Sequence, residues 1–419
     1  MGLRDLNVDL TKEHVALWDS TKKFMREVWR PATVELDRMQ NPEDVYAEGS
    51  VLWDVFRKTN ELGYHTMMFP EEFGGMKADT LSNALFWELA GWAAPGLAIG
   101  WALQTAPPMW AMMSPDPEMQ DFVKQFCADT TGTITGCWAI TEPDHGSDSL
   151  RFEGEYGAMP ELANQVRAVK DGDEYVLNGQ KSSWVSNGTF AKYAALWLSI
   201  DPSRGNEGGG IAVIPLDLPG ISRGKPLDKI GQRDQNPGEI YFDDVRIPAK
   251  AMVAADPVSY KTYSNMQLGL ANGSMGLIFA GCAQSALEEA LQYAKERVQG
   301  GRAIFEHQNI RLKLFDMFTS VEAARSLARR VLVYNSSLNE QMQPVAVQYA
   351  IASKILSTET AFRVASEGVQ IFGGYGLSRE YLIEKIFRDA RACMIEDGTN
   401  ETLALDGAER IGSGKLTLD

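Results

Sequence analysis

The chain changes its hydrophobic period twice, and this limits what it can fold into more than any single residue does. From about residue 11 to 131 apolar residues recur at helical spacing. The stretch "KEHVALWDSTKKFMREVWRP" brings Leu17, Trp18, Thr21, Phe24, Met25 and Val28 onto one face, and Pro31 is expected to end that helix. From about 132 to 250 the signals become those of strands and turns. "DGDEYVLNGQKSSWVSNG" carries Asp-Gly and Asn-Gly, and "AALWLSI", "GGGIAVIPL" and "GEIYFDDVRIP" follow it. From about 251 to 419 long helical periods return in "GLIFAGCAQSALEEALQYAKERV" and "AVQYAIASKILSTETAFRVASEGVQIF". The order is α, β, α, which implies an α+β protein with an N-terminal helical domain (1–131), a middle β-domain (132–250) and a C-terminal helical domain (251–419).

Composition narrows the function classes. With 419 residues, 44% hydrophobic and 10% aromatic, the chain can bury a large core. A formal net charge of -16 argues against a nucleic-acid surface, which needs clustered Lys and Arg. Cys127, Cys137, Cys282 and Cys393 lie far apart without a CxxC pair and read as buried free thiols in a reduced compartment. The charged start "MGLRDLNVDLTKEH" and the lack of any run of ~18 apolar residues lead to the expectation of a cytoplasmic protein with no membrane span.

Several chemistries are excluded cheaply. Four histidines, no HExxH and no Cys/His ligand set argue against a metal site, so none is assigned. "DHGSD" offers Ser147 and His145, but lacks the GxSxG elbow and the geometry a base needs to reach a hydroxyl. "FGGYG" follows a helical pattern rather than a strand and does not complete GxGxxG. What remains is "RACMIEDGTNETLAL", which sets Glu396 and Asp397 directly before Gly398-Thr399 and asks which acid is a base.

The segments "FPEEFGG", "WAITEPDHGSD", "NGQKSSWVSNG", "KIGQRDQNPGEIYFDDVRIP", "YAKERVQGGRAIFEHQ", "VQIFGGYGLSREYLIEKIFRDAR" and "IEDGTNE" occur in an order and spacing that resembles the acyl-CoA dehydrogenases over nearly the whole chain. The resemblance implies the family fold, with a C-terminal four-helix bundle, and FAD as cofactor. Trp138, Ile140 and Thr141, then Trp184 and Ser186, match the positions that meet the flavin ring; Ser186 stands where Thr is usual. Ser147 matches a contact to the FAD pyrophosphate or the pantetheine arm of the substrate. Arg297 matches a residue that in the family reaches the FAD of a neighbouring subunit, so a homodimer or homotetramer is implied. Gln299, His307, Gln308, Gln370, Gly373 and Gly374 match further FAD positions, and Thr399 and Glu401 complete the set. Gly300 stands for a usual Phe and Glu401 for a common Gln.

The family motif reads acid-Gly-Thr, which makes Asp397 the candidate base and Gly398 a substrate contact. Most relatives have Glu there, and an aromatic residue where Glu396 stands, so Glu396 is left as a solvated acid or a substitute base. Some relatives carry the base on an earlier helix; Met266 stands at that position here, which removes the alternative, and Gln267 stands in a substrate-side place often held by Arg. The reaction implied is removal of an α-proton from an acyl-CoA thioester with hydride transfer to flavin N5, giving a 2,3-enoyl-CoA. An electron-transfer flavoprotein is the implied acceptor. The alternatives are a flavin oxidase like the nitroalkane oxidases, whose Asp base is paired with an Arg that Gly398 to Leu405 lacks, and a non-redox acyl-CoA lyase. Met67, Met68, Trp101, Met109 and Trp110 are candidates for the acyl pocket, and residues 149–165 form a connection longer than the family's usual one. Glu384, Arg388, Asp389 and Arg391 read as helix-end ion pairs.

Overall fold

A computed structural model describes residues 5–152 and 156–413. The N-terminal part holds α1 (Lys12–Phe24), α2 (Arg30–Arg38), α3 (Val51–Glu61), α4 (Thr80–Ala93), α5 (Pro95–Ala102), α6 (Ala106–Ala111) and α7 (Pro117–Ala128). Local chemistry sets their starts. Thr11 accepts from the His14 N-H while His14 Nδ1 accepts from the Thr11 N-H, closing a capping box on α1. Asp79 caps α4 through the Leu81 and Ser82 N-H groups and also meets His14 Nε2 at 3.0 Å, tying the two helix starts together. Pro31 does not end the first helix. A π-helical turn over Met25–Trp29 carries the chain directly into α2, where Pro31 sits in the first turn and its missing N-H costs little.

The middle part is built from β1 (Gly136–Ala139), β2 (Arg167–Asp171), β3 (Glu174–Lys181), β4 (Tyr193–Ser199), β5 (Gly209–Pro215), β6 (Ile221–Arg223), β7 (Ile240–Pro248) and β8 (Met252–Ala254). Among the described residues these form one sheet in the order β6-β7-β3-β2-β4-β5-β8, with β1 parallel to β4. β4 and β5 pair antiparallel, Tyr193 opposite Pro215 and Ser199 opposite Gly209, and both are almost wholly buried. Beyond β8 come α8 (Pro257–Glu296), a hairpin of β9 (Val298–Gln299) and β10 (Arg302–Ala303), then α9 (Gln308–Glu340), α10 (Val347–Phe372), α11 (Leu382–Ala392) and α12 (Asn400–Gly412).

α8 packs against α10, α9 and α11, and α4 crosses it from the N-terminal part. That crossing depends on two glycines. A Cβ at Gly91 would lie 1.8 Å from the Ile278 carbonyl oxygen, and one at Gly281 would lie 1.9 Å from that of Glu88. Backbone meets backbone there, so N- and C-terminal helices share one apolar core containing Trp29, Phe86, Trp101, Ile278, Phe279 and Val364. A buried ionic cluster reinforces it: Glu88 accepts from Arg325 at 2.8 Å and from Arg329 at 2.7 Å. A second cluster, with Trp110, Trp138, Trp197, Tyr260 and Leu403, lies where the sheet meets α8 and α12. All four cysteines are free and buried, as free thiols in packed interiors usually are.

Candidate active site

The site begins with a backbone oddity. Between α11 and α12 the chain turns with Asp397 at φ 52° and Gly398 at φ 97°. Left-handed backbone costs a non-glycine residue about 1–2 kcal/mol, so something else must hold Asp397 there. Lys354, fully buried on α10, does so: its Nζ donates to the Gly398 carbonyl and to Asn400 Oδ1, each at 2.8 Å. From the other side the Thr399 N-H donates to Ser147 Oγ at 2.9 Å, and Thr399 caps α12 by accepting from the Thr402 N-H. A side chain on Gly398 would meet Leu403 at 2.9 Å and Leu150 at 3.0 Å, which leaves that position to glycine.

The two acids on this turn are treated differently. Gln232 Nε2 donates to Glu396 Oε1 at 2.6 Å. The Asp397 carboxylate and its own backbone N-H have no hydrogen-bond partner among the described residues. Burial raises the Asp397 carboxyl above its ordinary range, against the pull of the Lys354 cation. Burial in turn lowers Lys354, opposed by Cys393, Asp397, Glu396 and Glu401.

Beneath the turn lies an ionic network. Lys385 and Asp389 are buried and paired with each other, Lys385 also lies 3.6 Å from Asp234, and Asp389 accepts from the Gln232 N-H. Arg388 grips Asp37 with both terminal nitrogens at 2.8 Å and Glu384 through Nε at 2.7 Å. Glu384, Arg388 and Asp389 are thus ion-paired, but they lie buried or half-buried inside α11 and fasten it to α2 and to the loop before β7. Burial lowers the Lys385 ammonium less than Asp234, Asp389 and Asp37 raise it, so it stays charged. Arg391 alone is exposed, 5.9 Å from the Phe362 ring.

Structure brings the sequence-derived cofactor positions together in two groups. Trp138, Ile140 and Thr141 leave the end of β1, and a fully buried pair fixes them: Lys181 Nζ donates to the Ile140 carbonyl at 3.0 Å and to Glu142 at 2.7 Å. Glu142 also accepts from the Val166 N-H. The Trp138 indole N-H is buried without a partner. Ser186 accepts from Gln235 Nε2 at 2.6 Å, and the neighbouring Trp184 is 60% exposed, leaving a large aromatic face uncovered. Ser147, Thr399 and Glu401 join this group at the start of α12, Glu401 being exposed.

The second group lines a cavity of about 1000 Å³ at the C-terminal ends of α8 and α10 and the start of α9. Arg297, Gln299, His307, Gln370, Gly373 and Gly374 all face it. His307 Nε2 meets the Gln299 carbonyl at 2.9 Å, and the Arg297 guanidinium lies 5.6 Å from the Tyr375 ring. Nothing lies within 4 Å of where a side chain on Gly373 or Gly374 would start. Gln308, exposed in the first turn of α9, is not part of the lining. Among the described residues none from the eight-stranded sheet lines this cavity, which sets the second group apart from the first.

Of the acyl-pocket candidates, Trp110 and Met109 pack with the aromatic cluster beside α8, and Trp110 donates to the buried Gln267 Oε1 at 3.0 Å. Met67 and Trp101 belong to the helical core, where Trp101 donates to Asn60, and Met68 is partly exposed. The long connection docks through Asn206, which donates to the Ser149 carbonyl at 2.9 Å, and through an Arg151–Glu409 ion pair; residues 153–155 lie outside the described residues. His145 pairs with Asp148 at 2.7 Å and does not reach Ser147 for nucleophilic work. Sequence reasoning missed Lys354, Lys229 and Gln232. A lone Lys inside the apolar helical stretch "IASKILST" was the available signal for the first. Among the described residues no helix is long and apolar enough to cross a membrane, and no His/Cys/Asp/Glu group could hold a metal.

Comparison with known proteins places these features. Profiles of the acyl-CoA dehydrogenase N-terminal, middle and C-terminal domains match residues 11–116, 137–245 and 262–412. A probable acyl-CoA dehydrogenase of Bacillus subtilis is 31% identical over 404 residues, covering 94% of this chain and 97% of its own. The butyryl-CoA dehydrogenase structure from Megasphaera elsdenii superposes with a TM-score of 0.82 at 27% identity, over 97% of this chain and 100% of its own. A chain from the electron transferring flavoprotein structure of Acidaminococcus fermentans gives a TM-score of 0.82 at 26% identity, over 97% and 99%.

Proposed function

The chain belongs to the acyl-CoA dehydrogenase family, and from that membership we propose that it desaturates an acyl-CoA thioester between the α- and β-carbons, with Asp397 as base and FAD as cofactor. The observation that carries the assignment of the base is the contrast on the turn before α12: Asp397 has no hydrogen-bond partner among the described residues, whereas Glu396 is held by Gln232. A general base must first be free to reach its proton. Lys354 fixes the turn through the Gly398 carbonyl and keeps a cation near the acid, which favours the ionised form that accepts a proton. The unpartnered Asp397 N-H is a donor for the thioester oxygen as enolate charge develops there.

The residues present fit FAD. Guanidinium, amide and imidazole donors around a cavity with two glycines suit a diphosphate and its nucleotide, and hydroxyls, an exposed indole face and an unpartnered buried indole N-H suit a flavin ring. Thr141, Ser186 and Trp184 would hold the ring, and Arg297, Gln299, His307 and Gln370 the distal end. When bound, FAD would supply the hydride acceptor. With the second group set apart from the first, the working unit in this reading is a homodimer or homotetramer in which Arg297 serves a neighbour's cofactor. An electron-transfer flavoprotein is the expected acceptor of the reducing equivalents.

Purified protein is expected to be yellow and to release FAD on denaturation; colourless protein that FAD does not restore would refute the redox reading. Anaerobic mixing with a panel of acyl-CoA thioesters should bleach the flavin for at least one of them, with slow recovery in air. Rapid peroxide formation would instead identify an oxidase.

A further inference from the structure

Glu396 is held in a setting of its own making. Gln232 Nε2 donates both to Glu396 at 2.6 Å and to the Asp389 carbonyl at 3.3 Å. With a carbonyl on its other side, that amide cannot turn its oxygen toward Glu396 without setting two acceptors face to face, so it offers Glu396 a donor and favours the ionised carboxylate. The backbone of Gln232 is pinned as well, at φ 48° and with its N-H donating to Asp389. Three residues earlier on the same loop, Lys229 Nζ donates to Gln235 Oε1 at 3.0 Å, and Gln235 donates on to Ser186. One loop thus presents Glu396 with a donor and a cation while reaching the hydroxyl assigned to the flavin edge.

We propose that Glu396 is a positioning residue for the base: Gln232 holds its carboxylate beside Asp397, the Lys229 cation lies near enough to favour its charge, and its ionisation adds a second negative charge that strengthens Asp397 as proton acceptor. This rests on the assignment of Asp397 as base. The titratable groups that face Glu396 are Asp397 and Cys393 from its own segment, Lys229 from the loop before β7, Lys354 from α10 and Cys282 from α8. Lys229 in turn faces Asp234, Asp389 and Lys385. Burial, then the Asp397 charge, pushes Glu396 up to about 7, against Gln232, Lys229 and Lys354, and burial pushes Lys229 down to about 8. Two acids in one such site titrate in two steps. The second step falls near neutrality, where a change of charge can change the rate.

Three variants of the FAD-loaded protein test this with two readouts. The first is the rate of flavin bleaching by a substrate thioester from about pH 5.5 to about pH 9. Wild type should rise roughly three- to tenfold through neutrality as Asp397 becomes the stronger base. Glu396→Gln should lose that rise while keeping the low-pH rate, and Lys229→Met should move it to higher pH. The second readout needs no turnover: infrared difference spectra of the substrate-free protein follow the Glu396 carboxylate band. It should titrate near neutrality in wild type and move toward the ordinary glutamate value of about 4.3 in Asp397→Asn, since coupling acts in both directions. A Glu396 band at its ordinary value in wild type, or a neutral rise that survives Glu396→Gln, overturns the proposal. If no thioester bleaches the flavin, the dehydrogenase reading fails while the infrared titration still decides the coupling. If Glu396→Gln does not fold, the opposite shifts in the other two variants carry the test.

Discussion

The turn that carries Asp397 and the cavity around Arg297 solve opposite problems. On the turn, buried polar groups are matched within the chain: Lys354 with Gly398 and Asn400, Ser147 with Thr399, Gln232 with Glu396. Leaving such groups unpaired would cost about 1–3 kcal/mol each, so this geometry exists before any ligand arrives. In the cavity the Arg297 guanidinium has no ion-pair partner among the described residues, and Gly373 and Gly374 face open space. Exposed donors cost little to leave unmatched. The difference teaches that the turn bearing Asp397 is completed by one chain, whereas the donors around Arg297 are left unmatched within it, as the proposed sharing of a cofactor with a neighbour requires.

The largest effect should separate the two regions cleanly. Asp397→Asn keeps size and removes the acceptor, so flavin reduction should slow by ~100-fold or more with FAD content unchanged. Loss of FAD in that variant would mean the turn also builds the cofactor site and would break the comparison. Arg297→Ala should behave in the opposite way. Losing a charge-assisted hydrogen bond of about 1.5–3 kcal/mol should weaken FAD retention by roughly 10- to 100-fold, while the bleaching rate at saturating FAD stays near wild type. Equal FAD affinity in the two proteins would take the cavity out of the cofactor site.

A smaller effect sharpens the account of the turn. Lys354→Met leaves the Gly398 carbonyl unpaired and Asn400 Oδ1 with only the Thr358 hydroxyl at 3.3 Å, and should lower stability by about 2 kcal/mol, read as an earlier urea midpoint. The same change removes the cation that lowers the Asp397 carboxyl, so the carboxyl should rise further. The base is active when ionised, hence the acid limb of the pH–rate profile should move to higher pH. An unmoved limb would mean Lys354 acts on the backbone alone. Smallest is Asp397→Glu, which restores the family's usual residue. In a pocket adapted to Asp the extra methylene should crowd the substrate and slow bleaching several-fold, because reacting atoms must sit about 3–3.5 Å apart. A faster variant would show that the turn does not favour the shorter acid.

Much of the architecture was legible because its signals are local. Periods of helix and strand mark the α, β, α order that the folded chain follows. Pro31 was misread because a π-helical turn before it carries the helix onward, and that depends on how Met25 and Trp29 pack. Arg388 and Asp389 look like surface charges in a helix until α2 and the loop before β7 close over them. Lys354 was missed although it is a lone cation in an apolar stretch, because its acceptors lie more than forty residues away and only folding reveals them.

By itself the sequence determined the order of elements, the buried free cysteines, the family, and the presence of an acid before Gly398-Thr399, since each is written in period, composition or short motifs. Only the tertiary structure decided that Asp397 is free while Glu396 is held, that a buried lysine secures the left-handed turn, and that the cofactor positions fall into two groups. The reason is physical: a residue's partners and burial, which set its charge and its freedom to react, come from segments far away along the chain.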